Sequence, residues 1–187
     1  MSKNSYMEKI GKKAKLASLN LSSLTIDKKN SVLKQFNQYL KANERSILNA
    51  NKKDIFNAKS KKIIGSMVDR LKLNSEKIAQ IRNSIDKIVK FKDPVGKTLS
   101  SWKRPNGLII KRVSIPIGVI GTIYESRPNV TSDVSSLCFK SGNVVILRGG
   151  SEAFHSNKIL AKLFRKALKK KKCDENCVQF IEHKDRS

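Results

Sequence analysis

The chain has 187 residues, 39% of them hydrophobic, enough for one core and too apolar for a disordered chain. No run approaches the roughly 20 apolar residues of a membrane helix. No apolar signal core follows Met1-Ser-Lys-Asn-Ser-Tyr6, so a cytoplasmic protein without a membrane partner is expected. The net charge of +25 would suit nucleic acid, but the lysines are spread along the chain, aromatics are only 6%, and no base-reading motif accompanies them. A solvated basic surface is the favoured reading, with some help for anionic ligands.

The first half reads as helices. Ile10, Ala14, Ala17 and Leu21 keep helical spacing, and Thr25 and Asp27 are candidate caps before a stripe of Val32, Leu33, Phe36 and Leu40. A third apolar series runs through Ile47, Leu48, Ile55 and Phe56. Asn74-Ser-Glu76 opens an amphipathic helix with Ile78, Ile81, Ile85, Ile88 and Val89 on its buried side, and Asp93-Pro94 closes it. After Gly96 the pattern changes. Lys97–Trp102 and Leu108–Val113 flank Asn106-Gly107, a hairpin turn signal. Ile115–Ile123 is predicted to be a buried parallel strand, followed by a helix over Pro128–Ser141 ending at Gly142. Asn143–Arg148 is a second buried strand, and Ser151 is the expected cap of a helix carrying Ile159, Leu160, Leu163, Phe164 and Leu168. A third strand begins at Val178–Ile181. Strands alternating with helices predict an α/β fold with a parallel sheet behind a helical amino-terminal layer.

Chemistry is expected at two strand tips, because open α/β sheets bind ligands at the carboxyl ends of their strands. The first tip is Tyr124-Glu-Ser-Arg-Pro-Asn-Val-Thr131. There Arg127 can grip a carboxylate or phosphate with two prongs, and Asn129 can donate its amide to a developing oxyanion. A turn with a Glu125–Arg127 surface pair fits the same residues. The second tip is Arg148-Gly-Gly-Ser-Glu152, where glycines allow close backbone approach and Arg148 can meet a phosphate. It lacks the G-x-G-x-x-G pattern, and a plain strand–turn–helix corner explains it equally. Cys138, Cys173 and Cys177 have no zinc-type pairing, so no metal is expected; Cys138 reads as core. Neither His155 nor His183 has a nucleophile beside it.

Taken with Asp93-Pro-Val-Gly96, Ile115-Pro-Ile-Gly-Val-Ile-Gly121 and Leu137-Cys-Phe-Lys-Ser-Gly-Asn143, these strings resemble gamma-glutamyl phosphate reductase, a branch of the aldehyde dehydrogenase superfamily. The resemblance spans nearly the whole chain and only the amino-terminal part of such an enzyme. It implies an incomplete aldehyde dehydrogenase fold: residues 1–95 as the helical part of a cofactor domain, 96–114 as a hairpin oligomerisation arm, and 115–187 as the first Rossmann-like strands. It also implies NADPH-dependent reduction of gamma-glutamyl phosphate to glutamate-5-semialdehyde in proline biosynthesis, within a homo-oligomer. Arg148, Gly149, Gly150, Ser151 and Glu152 would border the adenosine end of NADP. Tyr124, Glu125, Arg127, Asn129 and Thr131 would face the substrate, with Asn129 as oxyanion donor. The family's nucleophile sits in a Gln-Arg-Pro-x-x-Cys-Asn type string that has no match here, so the chain is expected to be truncated and inactive alone. The alternatives are a basic nucleic-acid-associated protein and a non-catalytic oligomerisation partner.

Overall fold

Apolar residues recurring every three or four positions build five helices ahead of the first strand. In a computed structural model covering residues 3–61, 63 and 65–183, these are α1 (Lys3–Ser22), α2 (Ile26–Ala42), α3 (Glu44–Ser60), α4 (Gly65–Leu71) and α5 (Ser75–Lys90). Met1, Ser2 and the last four residues of the 115–187 segment lie outside the described residues. Thr25 caps α2 by accepting from the Lys28 N–H, and Asn74 caps α5 by accepting from that of Lys77, each satisfying a donor that the first helical turn leaves open. The α5 stripe Ile78, Ile81, Ile85 and Ile88 is buried as its spacing predicts. Phe56, placed in the α3 apolar series, is instead 74% exposed, because α3 packs on the neighbouring helices through Ile47, Asn51, Asp54 and Ala58.

Strands β1 (Thr98–Lys103) and β2 (Ile109–Val113) form an antiparallel hairpin that turns at Gly107, whose φ of +85° suits glycine. Leu99, Trp102, Leu108, Ile109 and Val113 are all exposed on it.

The parallel sheet has the order β3 (Val119–Tyr124), β4 (Val144–Gly149), β5 (Val178–Phe180). Helix α6 (Pro128–Lys140) crosses from β3 to β4, and α7 (Phe154–Lys170) from β4 to β5. Both cover one face, as successive right-handed crossovers require, while α1 lies on the other. Side-chain alternation along β5 agrees: Phe180 meets Phe154 of α7, and the Gln179 amide donates to the Ile10 carbonyl of α1. Helices α2, α3 and α5 form a further layer over α6 and α7, locked by Phe36 against Phe164 and Phe164 against Phe139.

Two expectations are corrected. The strand expected from Ile115 begins only at Val119, since Pro116 has no N–H to pair and Gly118 holds a φ of +114°. Nor is it fully buried: β3 is an edge strand, and Ile115, Ile117 and Ile123 are exposed. Ser151 does not cap α7. It opens a 3-10 turn, Ser151–Ala153, and the α7 amino terminus is satisfied by Asp54 of α3, which accepts from the N–H groups of His155 (3.0 Å) and Ser156 (2.7 Å).

Two lysines are buried where α2, α5 and α6 converge. Lys29, 1% exposed, donates to both oxygens of Asp93 at 2.9 and 3.2 Å. Lys140, 3% exposed, donates to Asn30 Oδ1 and the Val89 carbonyl. Partial burial pushes the Asp93 carboxyl up, but Lys29 and the Val95 N–H outweigh it and hold the group below its ordinary value. That stabilisation is present above the ordinary carboxylate range and is lost as pH falls through the lowered value.

Candidate active site

The two strand tips named from sequence lie side by side. Tyr124 and Gly149 are register partners, and the Gly150 N–H donates to the Tyr124 carbonyl at 2.8 Å. Ser126 takes a φ of +45°, unusual for a residue with a side chain. Glu152 holds it there: its Oε1 accepts from the Ser126 N–H at 2.6 Å and from Oγ at 2.9 Å. The tips therefore form one wall of a cleft of about 440 Å³, lined by Tyr124, Glu125, Arg148, Ser151, Phe154 and His183 among others. Exposed Ile123 and the Phe154 ring give it an apolar shelf beside the Arg148 guanidinium.

Within this wall most polar groups serve the protein itself. The Tyr124 hydroxyl and Thr131 Oγ1 are 2.6 Å apart, and Thr131 donates on to Asn157 Oδ1 at 2.9 Å. Burial pushes the Tyr124 hydroxyl up to about 12 despite the bond to Thr131, so it stays protonated. A Cβ at Gly149 would collide with the Asn157 amide, and one at Gly150 with the Glu152 carboxylate. Gly149 is thus required by close packing against buried Asn157, whereas at Gly150 only the end of the Glu152 side chain stands in the way. Arg127 and Glu125 are exposed at the tip.

Asn129 points elsewhere. It lines a second recess of about 260 Å³ between α4, α5 and α6, together with Arg70, Lys77, Gln80, Ser84 and Asp133. Its Nδ2 donates to Asp133 Oδ2 at 3.1 Å. Asp133 Oδ1 has no hydrogen-bond partner and is closed to solvent, and burial pushes the carboxyl above its ordinary value. Asp133 was not singled out in the sequence. The available signal was the polar run Ser132, Asp133, Ser135, Ser136 in a helix whose neighbours bury it.

A larger recess of about 690 Å³ lies between α1, α7 and β5, lined by Lys9, Lys13, Lys158, Lys162 and Arg165. It runs along the outer edge of β5 as far as His183, which it shares with the cleft, so size alone does not make it the site. Among the described residues no three His, Cys, Asp or Glu converge as metal ligands, and no helix is long and apolar enough to cross a membrane. Burial pushes the Cys138 thiol up to about 11, that of Cys177 to about 12, and that of Cys173 upward as well.

No family model matches the chain. Solved structures do. The chain superposes on the propionaldehyde dehydrogenase of Rhodopseudomonas palustris with a TM-score of 0.64 at 16% identity, covering 96% of this chain and 38% of that one. The architecture is therefore part of an aldehyde dehydrogenase-type fold. Agreement is closer with the gamma-glutamyl phosphate reductase of Thermotoga maritima, with a TM-score of 0.93 at 42% identity over 95% of this chain and 43% of that one. The Saccharomyces cerevisiae reductase gives 0.91 at 30% identity, over 99% and 47%. Among curated sequences, the gamma-glutamyl phosphate reductase of Petrotoga mobilis is 43% identical over 186 residues, spanning 100% of this chain and 45% of the relative. That of Anoxybacillus flavithermus is 42% identical over 175 residues, spanning 94% and 42%. The particular likeness, carried by nearly the whole chain, is to gamma-glutamyl phosphate reductase. The chain corresponds to one part of that protein, a little under half the length of the curated relatives it matches.

Proposed function

We propose that the chain provides the cofactor-side wall and part of the substrate pocket of a gamma-glutamyl phosphate reductase, an enzyme of proline biosynthesis. NADPH supplies the hydride that takes the acyl group to glutamate-5-semialdehyde, with phosphate released. The observation that carries the reading is the bonding of the two tips into one cleft through Gly150, Tyr124, Ser126 and Glu152. The volume and lining suit the adenosine end of the cofactor. Ile123 and Phe154 offer an apolar surface to the base, and Arg148 offers a guanidinium to a phosphate. The glycines keep the turn low, Glu152 braces it, and Ser151 exposes a hydroxyl at its lip.

On the substrate side, Asn129 stands at the start of α6, where backbone N–H groups also collect. One of its two amide hydrogens is directed to Asp133, which fixes the plane of the amide. The other is the donor for the oxyanion that forms as the acyl carbon becomes tetrahedral. Tyr124 and Thr131, bonded to each other and on to Asn157, brace the first turn of α6, and Glu125 and Arg127 present charge at the tip. The thiolate of such a reaction is none of Cys138, Cys173 or Cys177, whose burial favours the neutral thiol. The hairpin at residues 96–114 presents its apolar side chains for assembly with further copies in a homo-oligomer.

Titration of the 187-residue chain with NADPH, followed by nicotinamide fluorescence, tests the cofactor side. Saturable binding is expected, weakened about tenfold by Arg148→Ala, as suits loss of a charge-assisted hydrogen bond. Superimposable curves for the two proteins would remove Arg148 from the site.

A further inference from the structure

The recess along the outer edge of β5 is a groove whose floor is a strand edge and whose walls are two helices. Lys9 and Lys13 stand on the α1 side, and Lys158, Lys162 and Arg165 on the α7 side. Glu182 is the single carboxylate among its lining residues, and Lys158 takes it up at 2.5 Å. Lys13 and Lys162 are exposed and line the groove from opposite walls. Like charges gathered around one groove repel each other, and an anionic occupant relieves that repulsion.

The floor adds a requirement of its own. Ile181 donates its N–H to the Leu147 carbonyl of β4 at 2.9 Å, so Phe180, one residue earlier, turns its N–H and carbonyl away from β4. Side chains cover the edge on either side of it. Arg165 donates to the Val178 carbonyl at 3.0 Å, and the Glu182 N–H reaches the Tyr6 hydroxyl at 3.4 Å. Between these two, half-buried Phe180 lines the groove, and the outer edge of a strand is a template for a further strand. The spacings agree. Residues four apart in a helix, as Lys158 and Lys162 are, rise about 6 Å, and alternate residues of a strand lie about 6.6 Å apart. Ile10 and Ala161 are buried between the lysines, where uncharged side chains fit. We propose that this groove docks an extended acidic peptide segment of a partner protein. The segment adds to the sheet beside β5 through Phe180, with carboxylates at every second position meeting the lysines of the walls. Nucleic acid suits the charge but not the floor, because a sugar–phosphate backbone carries no amide N–H for the Phe180 carbonyl.

The test titrates the 187-residue chain into a fluorescently labelled octapeptide of alternating glutamate and threonine, read by anisotropy. Salt at about 0.1 M screens distant charges. Saturable binding is expected, weakened about tenfold in the double variant Lys13→Glu, Lys162→Glu. The double variant Lys52→Glu, Lys87→Glu changes the net charge equally, at exposed positions outside the groove. It should bind within about twofold of the unaltered chain. Two further peptides, N-methylated on the glutamates or on the threonines, separate strand addition from charge alone. One should lose about tenfold and the other little, because only alternate residues of an added strand bond to β5. Absent binding overturns the proposal, as does equal loss in the two double variants. Equal affinity of the two methylated peptides overturns it too, since charge alone would then account for binding. Tighter binding of a thymidine pentanucleotide, which carries as many charges and no backbone amides, has the same consequence.

Discussion

The cleft at the strand tips and the recess between the helices are both polar, but they are finished differently. In the cleft the buried polar groups are chained to one another, with the Asn157 amide nitrogen left unpaired. Glu152 holds Ser126, Tyr124 meets Thr131, and Thr131 meets Asn157. In the recess, Asp133 Oδ1 is left over. Each wall thus leaves a buried polar atom without a partner, Asn157 Nδ2 in the cleft and Asp133 Oδ1 in the recess, and the two differ in how much of their bonding runs within the chain. Substitutions in the cleft, where more bonds within the chain are lost, should therefore cost more stability than substitutions in the recess.

The largest effect is expected from Gly149→Ala. The added methyl meets the Asn157 amide, whose side chain is wholly buried, and also lies 3.3 Å from the Tyr124 ring. A loss of about 3 kcal/mol is expected in urea denaturation, at the upper end of overpacking. A loss under about 0.5 kcal/mol would show that Asn157 yields freely and that the wall is softer than described. Glu152→Ala comes next, at about 2 kcal/mol, since it removes the acceptor for two donors and releases Ser126 from its left-handed backbone. If stability were unchanged while NADPH binding fell, Glu152 would belong with the ligand-reading groups instead.

The smallest effect is expected from Asp133→Asn, and it has the opposite sign. Burial raises the Asp133 carboxyl, so its ionisation opposes folding at neutral pH and not in acid. Wild type and variant should have nearly equal stability below the ordinary carboxylate range. The variant should become the more stable as pH rises through the raised value. Paired urea curves at pH 3 and pH 7 decide this, and a variant less stable at pH 7 would mean that Oδ1 is already paired.

Much of the fold was legible because the deciding information is local. The stripe from Ile78 to Ile88, the caps Thr25 and Asn74, and the Asn106-Gly107 turn act over four or five residues. The misread features depend on distant partners. Ser151 is a sound cap by sequence, but Asp54, about a hundred positions earlier, occupies the end of α7. Ile115 to Gly118 has strand composition, yet proline and a left-handed glycine delay pairing until Val119. Short α4 shows too little periodicity to be recognised in a seven-residue span. At the site, Arg148 and the glycines mark their tip through turn chemistry, and the pairing of the two tips follows from parallel register. Asp133 left no such mark: one aspartate inside a helix gains meaning only when α4 and α5 fold over it.

The burial of Lys29 and Lys140 also sets two amines apart in a chain otherwise crowded with accessible ones. Reagents that acylate or alkylate amino groups must reach the nitrogen lone pair, and these two are wrapped in Asp93, Asn30 and the Val89 carbonyl. Modification will sweep over the surface lysines and spare this pair for as long as α2, α5 and α6 stay together. The two protected nitrogens thus act as a built-in gauge of whether that helical junction is closed.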